Sequence, residues 1–285
     1  MFVVYGCSMN IVNSNIKKYW ILALIAAYFA FAYLTVRIPD EEFHIYFLNV
    51  DQGDSVFIKT PENHQILIDG GPKNYVLKEL DKVMSFFNKT FDLVVLTHPH
   101  YDHYAGLSEV IKRYKIKNIL ITGVNAKDNG YIELLALIKE KKINTYFAES
   151  YTDFKFGEVY FDIIYPFDSI KGETFSKLNN SSISMHIFYK NKSILLNGDL
   201  EKEGEKDLIE NVKNLKANIF KASHHGSKTA NTLDFLQRVK PEIAIIQVGK
   251  NNKFNHPHAE TIKTFKALGI KYFRTDLNGT KEFVF

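Results

Sequence analysis

The run Thr97-His98-Pro99-His100-Tyr101-Asp102-His103 places three imidazoles and one carboxylate within six residues. Histidines at i and i+2, an aspartate at i+4 and a histidine at i+5 can turn into one cavity. Imidazole nitrogens with carboxylate oxygens are a donor set for zinc or manganese. More residues of the same chemistry stand at the ends of apolar runs. Asp69 follows Ile66-Leu67-Ile68 and precedes Gly70-Gly71, Asp199 closes Leu196-Asn197-Gly198-Asp199, His224-His225 opens a turn at Gly226-Ser227, and His256-Pro257-His258 comes last. Taken singly, Asp69-Gly70 reads as a turn and Asp199 as the N-cap of a helix beginning near Glu201. Their recurrence points to a site, because α/β active sites are assembled from strand ends. On that reading Asp69 orients a metal-bound histidine through its second ring nitrogen, and Asp199 bridges two cations.

These side chains need a frame that brings distant strand ends together. From Phe43 the chain reads as short strands, Phe43–Val50, Ser55–Thr60 and Gln65–Asp69, separated by Asp51-Gln52-Gly53-Asp54 and Pro61-Glu62-Asn63-His64. Val76, Leu77, Leu80, Val83, Met84 and Phe87 recur at a helical period over Asn74–Phe87. Asp92–Leu96 is a buried strand that delivers the histidine run. Helices Tyr104–Tyr114 and Tyr131–Lys141 then alternate with strands Asn118–Ile121 and Asn144–Phe147. A second strand-rich stretch, Glu158–Tyr165, Ser182–Tyr189 and Ser193–Leu196, gives way to alternation again. Its helices are Glu201–Lys213, Thr232–Lys240 and Glu260–Leu268, and its strands Ala217–Ala222, Ile243–Val248, Lys271–Arg274 and Glu282–Phe285. Two such halves predict two sheets packed face to face with helices outside, as one domain over residues 41–285. The longest loop, Phe167–Asn180, is expected to border the site.

The composition is that of a globular protein with a sizeable core: 285 residues, 46% hydrophobic and 24% charged, with 23 Phe and 16 Tyr. The net charge of +4 suits a phosphate-rich polymer as partner, while the lysines between Lys190 and Lys281 also read as solvated faces. Cys7 is the only cysteine. It excludes a disulfide within the chain, a cysteine-based zinc site and, in the globular part, a cysteine nucleophile. Any metal must be held by histidine and carboxylate. Near the N-terminus, Lys17-Lys18 precede Tyr19–Val36, eighteen residues without a charge. As a helix this run is about 27 Å long, close to one hydrocarbon core. Residues 1–40 are therefore expected to form a tail and a single-pass membrane anchor. The alternative is a signal peptide cut near Ala30-Phe31-Ala32, leaving a secreted protein, and either Met1 or Met9 serves as the start. Positive residues before the run predict that the rest of the chain lies outside the membrane.

Asp69, His98-x-His100-x-Asp102-His103, Asp199 and His225 together resemble the metallo-β-lactamase fold. From Phe43 onward the chain is similar to the extracytoplasmic hydrolase domain of ComEC-type DNA-uptake proteins. The matching pieces include Gln52-Gly53-Asp54-Ser55, Asn197-Gly198-Asp199, His224-His225-Gly226-Ser227-Lys228-Thr229, His256-Pro257-His258 and Arg274-Thr275-Asp276. The resemblance implies a four-layer αββα sandwich and two divalent metal ions, Zn2+ or Mn2+. His98, His100 and Asp199 would hold the first. Asp102, His103, His225 and Asp199 would hold the second, about 3.5–4 Å away, with a hydroxide between them as nucleophile. Asp69 and His224 would support these ligands, Asp102 would also accept a proton, and His256, Ser227 and Lys228 would contact substrate. Three departures stand out. Asn49 and Asp51 occupy positions where the resemblance expects Asp and Gly. The third lactamase-type histidine is replaced by Asn179-Asn180-Ser181-Ser182. The chain has no room for the many spans of a DNA channel, so the resemblance carries hydrolysis and not transport. The implied reaction is phosphodiester hydrolysis, with nucleic acid the first expected substrate. Other readings are hydrolysis of a phosphocholine-bearing polymer or a lactone, and a non-catalytic binding module on the same fold. Nucleic-acid hydrolysis would weaken steeply with salt, whereas lactone hydrolysis would not.

Overall fold

The computed structural model describes residues 9–37, 41–85 and 88–285, with side chains from 16 to 31 in the first segment. The chain divides into two compact units, Met1–Pro39 and Asp40–Phe285. The first holds a helix, Met9–Arg37. The expected membrane span Tyr19–Val36 falls on it, with the side chains of 32–36 outside the described residues. Among the described residues no helix is long and apolar enough to cross a membrane. The expected single-pass helix is thus unsupported. Cys7 and Met1 lie outside the described residues.

The second unit contains two seven-stranded sheets. The first sheet runs Lys281–Val284, His44–Phe47, Val56–Lys59, Gln65–Ile68, Leu93–Val95, Asn118–Ile121, Asn144–Phe147. Its first four strands are antiparallel neighbours and the rest pair in parallel. The second sheet runs Lys271–Arg274, Ile243–Ile246, Ile219–Lys221, Lys192–Leu196, Ser184–Tyr189, Val159–Tyr165, Phe154–Phe156. It repeats the plan, with parallel pairing from Lys192–Leu196 onward and antiparallel pairing on the other side. Thr90–Phe91 and Lys115–Ile116 make a small accessory pair.

Continuous apolar strands are explained by burial on both faces. Ile66 and Ile68 join the cluster between the sheets, which also holds Val95, Ile163, Ile194 and Leu196. Their neighbour Leu67 points the other way, into a cluster with Leu80, Leu107 and Leu134. Those residues belong to helices Tyr75–Val83, Tyr101–Arg113 and Asn129–Glu140. Leu195 likewise faces Leu208, Phe235 and Phe265, from helices Lys202–Asn211, Leu233–Val239 and Ala259–Ala267. The result is the four-layer αββα sandwich that the pattern predicts. Two details differ from expectation. The helix expected from Tyr104 begins at Tyr101, so Asp102 and His103 ride on its first turn and not on a loop. The strand Lys281–Val284 leaves the second sheet and pairs with His44–Phe47 in the first, a pairing too distant in sequence for local pattern to reveal.

Candidate metal centre

The strand Leu93–Val95 leads into the histidine run, and Leu96 N–H still donates to Leu120 O at 2.9 Å. The following helix is pressed onto the Asp69-Gly70-Gly71 turn. Gly70 N donates to His103 O at 2.7 Å and Gly106 N to Gly71 O at 2.9 Å. A Cβ on Gly106 would lie 2.0 Å from Gly70 O, so only glycine permits this approach. The turn aims the Asp69 carboxylate at Thr97, accepting from its N–H at 2.8 Å and its hydroxyl at 2.7 Å. The same carboxylate accepts from His103 Nδ1 at 2.8 Å. The orienting role expected for Asp69 therefore falls on His103, whose Nε2 is left to face the cavity.

The second sheet supplies the opposing wall. Asp199 N donates to Ser182 Oγ at 3.0 Å. His224 and His225 both adopt left-handed backbone conformations, φ 49° and 53°, a costly choice for residues with a Cβ. That turn directs His225 Nδ1 to donate to Gln247 O at 2.9 Å, which points Nε2 inward. His225 Nε2 lies 3.2 Å from Asp102 Oδ2 and 3.3 Å from Asp199 Oδ2. His103 Nε2 also lies 3.3 Å from Asp199 Oδ2. His98, His103 and Asp199 form one compact donor group, and Asp102, His103 and His225 another, with ligand atoms within 4.8 Å of one another. His100 Nδ1 sits 3.0 Å from His98 Nε2 but belongs to neither group.

These residues fit divalent cations. His103 Nε2 and Asp199 Oδ1 are buried and find no hydrogen-bond partner among the described residues, an expensive state unless a ligand satisfies them. The charge balance agrees. Burial pulls the His103 imidazole down, but Asp199 and Asp69 outweigh it and raise its pKa well above the usual histidine value. For His225, burial is likewise overcome by Asp199 and Asp54. Burial raises Asp199, yet His225 and His103 hold it well below the ordinary carboxylate range. Crowded carboxylates hold protons on the two imidazoles, and a metal would displace those protons.

Sequence reasoning gave no role to Lys221, which is 2% exposed. It ion-pairs with the buried Asp54 carboxylate, donates to Gly198 O at 3.0 Å and lies 3.6 Å from Asp199 Oδ1. Burial lowers its pKa, but Asp54 and Asp199 raise it overall, so it stays charged. The available signal was a lysine inside the apolar strand Ile219-Phe220-Lys221. Asn179, at the end of the loop expected to border the site, is buried and donates to Glu201 Oε1 at 3.3 Å. Its Nδ2 also lies 3.3 Å from His224 Nδ1. His224 lines the cavity and reaches Thr229 Oγ1 at 3.2 Å. His256 lines the same cavity, and burial first, then His225 and His224, push its pKa down to about 3. Ser227 and Lys228 do not reach it. The Ser227 hydroxyl is turned inward, 3.0 Å from Thr229 Oγ1, and Lys228 is exposed with its N–H donating to His258 Nδ1 at 3.1 Å. Ser227 thus organises the turn beside the cavity.

A four-layer sandwich whose facing sheets bring His and Asp donors together at one edge is the frame of a metal-dependent hydrolase. The sequence profile of the metallo-beta-lactamase superfamily matches residues 48–250, and the chain belongs to that superfamily. ComE operon protein 3 of Bacillus subtilis is 28% identical over 253 residues, covering 83% of this chain and 32% of the relative. Competence protein ComA of Neisseria gonorrhoeae is 26% identical over 269 residues, covering 93% of this chain and 35% of the relative. The chain thus spans about a third of the length of these curated relatives. Among solved structures, the metallo-beta-lactamase fold protein YhfI of Bacillus subtilis superposes with a TM-score of 0.54 at 11% identity, covering 85% of this chain and all of that one. That likeness is one of fold.

Proposed function

We propose that this chain is a metal-dependent phosphodiesterase that cleaves nucleic acid on the outer side of a membrane. The observation that carries the reading is the sharing of His103 between two compact donor groups, with Asp199 and His225 touching both, on a cavity of about 560 Å³. His98, His100, His103, Asp102, Asp199 and His225 would hold two divalent ions, Zn2+ or Mn2+. Bound there, the ions supply Lewis-acid activation of water and charge neutralisation at the phosphoryl group. Asp69 holds His103 in the tautomer with Nε2 free for ligation, and Gln247 O does the same for His225. The Asp102 carboxylate, 27% exposed, takes up the proton of the attacking water. His256, neutral on the cavity wall, donates a hydrogen bond to a phosphoryl oxygen. Water adds to phosphorus, the ester P–O bond breaks, and the products are a phosphomonoester and an alcohol. The competence proteins among the relatives support nucleic acid as substrate, and Lys17-Lys18 before the uncharged run support the outer side.

The test is a hydrolysis screen of the full chain with zinc or manganese, using DNA, RNA and bis(p-nitrophenyl) phosphate. Cleavage of all phosphodiesters that stops with a chelator, and that weakens steeply with salt for the polymers, is expected. Turnover of a lactone or a phosphocholine ester with no phosphodiester cleavage would replace the reading. Protease added to intact cells should digest the hydrolase unit; full protection would reverse the placement.

A further inference from the structure

The cavity at the metal centre continues into a second one. The first, about 560 Å³, contains His100, Asp199 and His225. The second, about 590 Å³, is lined by Lys73, Tyr75, Lys250 and Lys253. Gln52, Tyr101, Asp102 and Phe254 line both. A groove therefore leads away from the proposed metal ligands over two aromatic rings and past three lysines, with Asp51 and Asp102 the only carboxylates of the second cavity among the described residues.

The rings at the junction are open to solvent, Tyr101 at 52% and Phe254 at 48% exposure. Phe254 is nevertheless held. The Asn252 side chain accepts from Phe254 N at 3.2 Å and from His256 N at 3.0 Å, and it donates to Gly249 O at 3.0 Å and His256 O at 2.7 Å. One asparagine thus fixes the loop that presents both the cavity histidine and the exposed ring. Tyr101 is anchored as the first residue of its helix. Lys253 Nζ lies 5.0 Å from the Phe254 ring centre and Lys73 Nζ 5.4 Å from that of Tyr75. Exposed, preorganised aromatics interleaved with cations form a stacking platform along an electrostatic track. A duplex keeps its base faces inside its own stack. Only an unpaired strand offers phosphates and bare base faces together.

We propose that this groove binds a single-stranded segment of nucleic acid and leads it to the metal centre. Bases stack on Phe254 and Tyr101, and phosphates lie along Lys73, Lys250 and Lys253. The inference rests on the phosphodiesterase reading for its chemistry, but binding alone judges it. Fluorescence anisotropy of the full chain is measured in chelator, which stops turnover, with a labelled twelve-nucleotide dT strand, an abasic strand of the same length and the matching duplex. The dT strand is expected to bind about tenfold or more tighter than the abasic strand, and tighter than the duplex. Phe254→Ala and Tyr101→Ala should each weaken the dT strand by about tenfold and bring it towards the abasic one. Lys250→Ala with Lys253→Ala should weaken both strands alike and lower the salt slope by about 0.7 per lysine. Equal affinity of wild type for dT and abasic strands, or duplex binding as tight as dT, overturns the groove without any variant. Hydrolysis of bis(p-nitrophenyl) phosphate by the metal-loaded wild type separates the two claims. If it occurs without strand preference, the groove is wrong and the phosphodiesterase reading stands. If strand preference appears without it, the groove stands and the hydrolytic reading falls.

Discussion

At the scale of single residues, Lys221 and Asp102 make opposite demands on the site. Lys221 neutralises Asp54 where neither reaches water, so the pair matters mainly through what its loss leaves behind. Lys221→Met should strand the Asp54 carboxylate and lower stability by about 3–5 kcal/mol. Adding Asp54→Asn should recover most of that loss, as read by urea unfolding in chelator. A double variant no better than the single one would show that the two charges are not coupled. Asp102 is in the first turn of its helix, while His100 occupies the N-cap position. Its carboxylate faces His225, which is the placement the proposed catalytic role needs. Asp102→Ala is expected to lower the phosphodiesterase rate by several orders of magnitude with little change in the melting temperature measured in chelator. A variant that melts early yet keeps metal and rate would refute this. The histidines and aspartates of this centre were legible in the sequence because each type is costly at the end of an apolar run. Lys221 was not, because a lysine in a strand reads as a solvated face until the second sheet is packed against the first.

At the scale of elements, the turn carrying His224 and His225 is held from behind by helix Lys202–Asn211. Glu205 of that helix accepts from Asn231 N at 2.6 Å and Thr232 N at 2.9 Å. Burial pushes its carboxyl up to about 6, against the pull of the Thr232 and Asn231 hydrogen bonds. An unfolded glutamate titrates near about 4.3. The folded pKa is the higher one, so this group's stabilisation is complete below the unfolded value and is lost as pH rises through about 6. The loss amounts to about 2 kcal/mol. Glu205→Gln should remove the dependence: the stability of wild type relative to the variant should fall by that amount between about pH 4 and 6.5. A constant difference across that window would show an ordinary carboxyl. Periodicity placed these helices and strands, since 3.6- and 2-residue repeats are local. It misjudged where the helix after His100 begins, because the Asp69-Gly70-Gly71 turn packed against that helix is remote in sequence.

At the scale of the whole hydrolase unit, the proposed metal ligands come from both halves of the fold: His98, His100, Asp102 and His103 from the first sheet's side, Asp199 and His225 from the second's. Bound ions would therefore clamp the sheets. Saturating zinc at about a hundred times its dissociation constant should add about 2.7 kcal/mol, read as a rise in melting temperature. Asp199→Asn should abolish most of that rise, and a metal-independent melting temperature would contradict the shared centre. The first sheet is also closed by the last strand of the chain. His44, in the second strand of the first sheet, meets Glu282, 238 positions later. On a ribosome adding about 5–20 residues per second, some 10 to 50 s separate the emergence of the two strands. Throughout that interval His44–Phe47 is a bare strand edge able to recruit a stranger. Until its last strand is made, the nascent sheet carries an edge that a chaperone would have to shield.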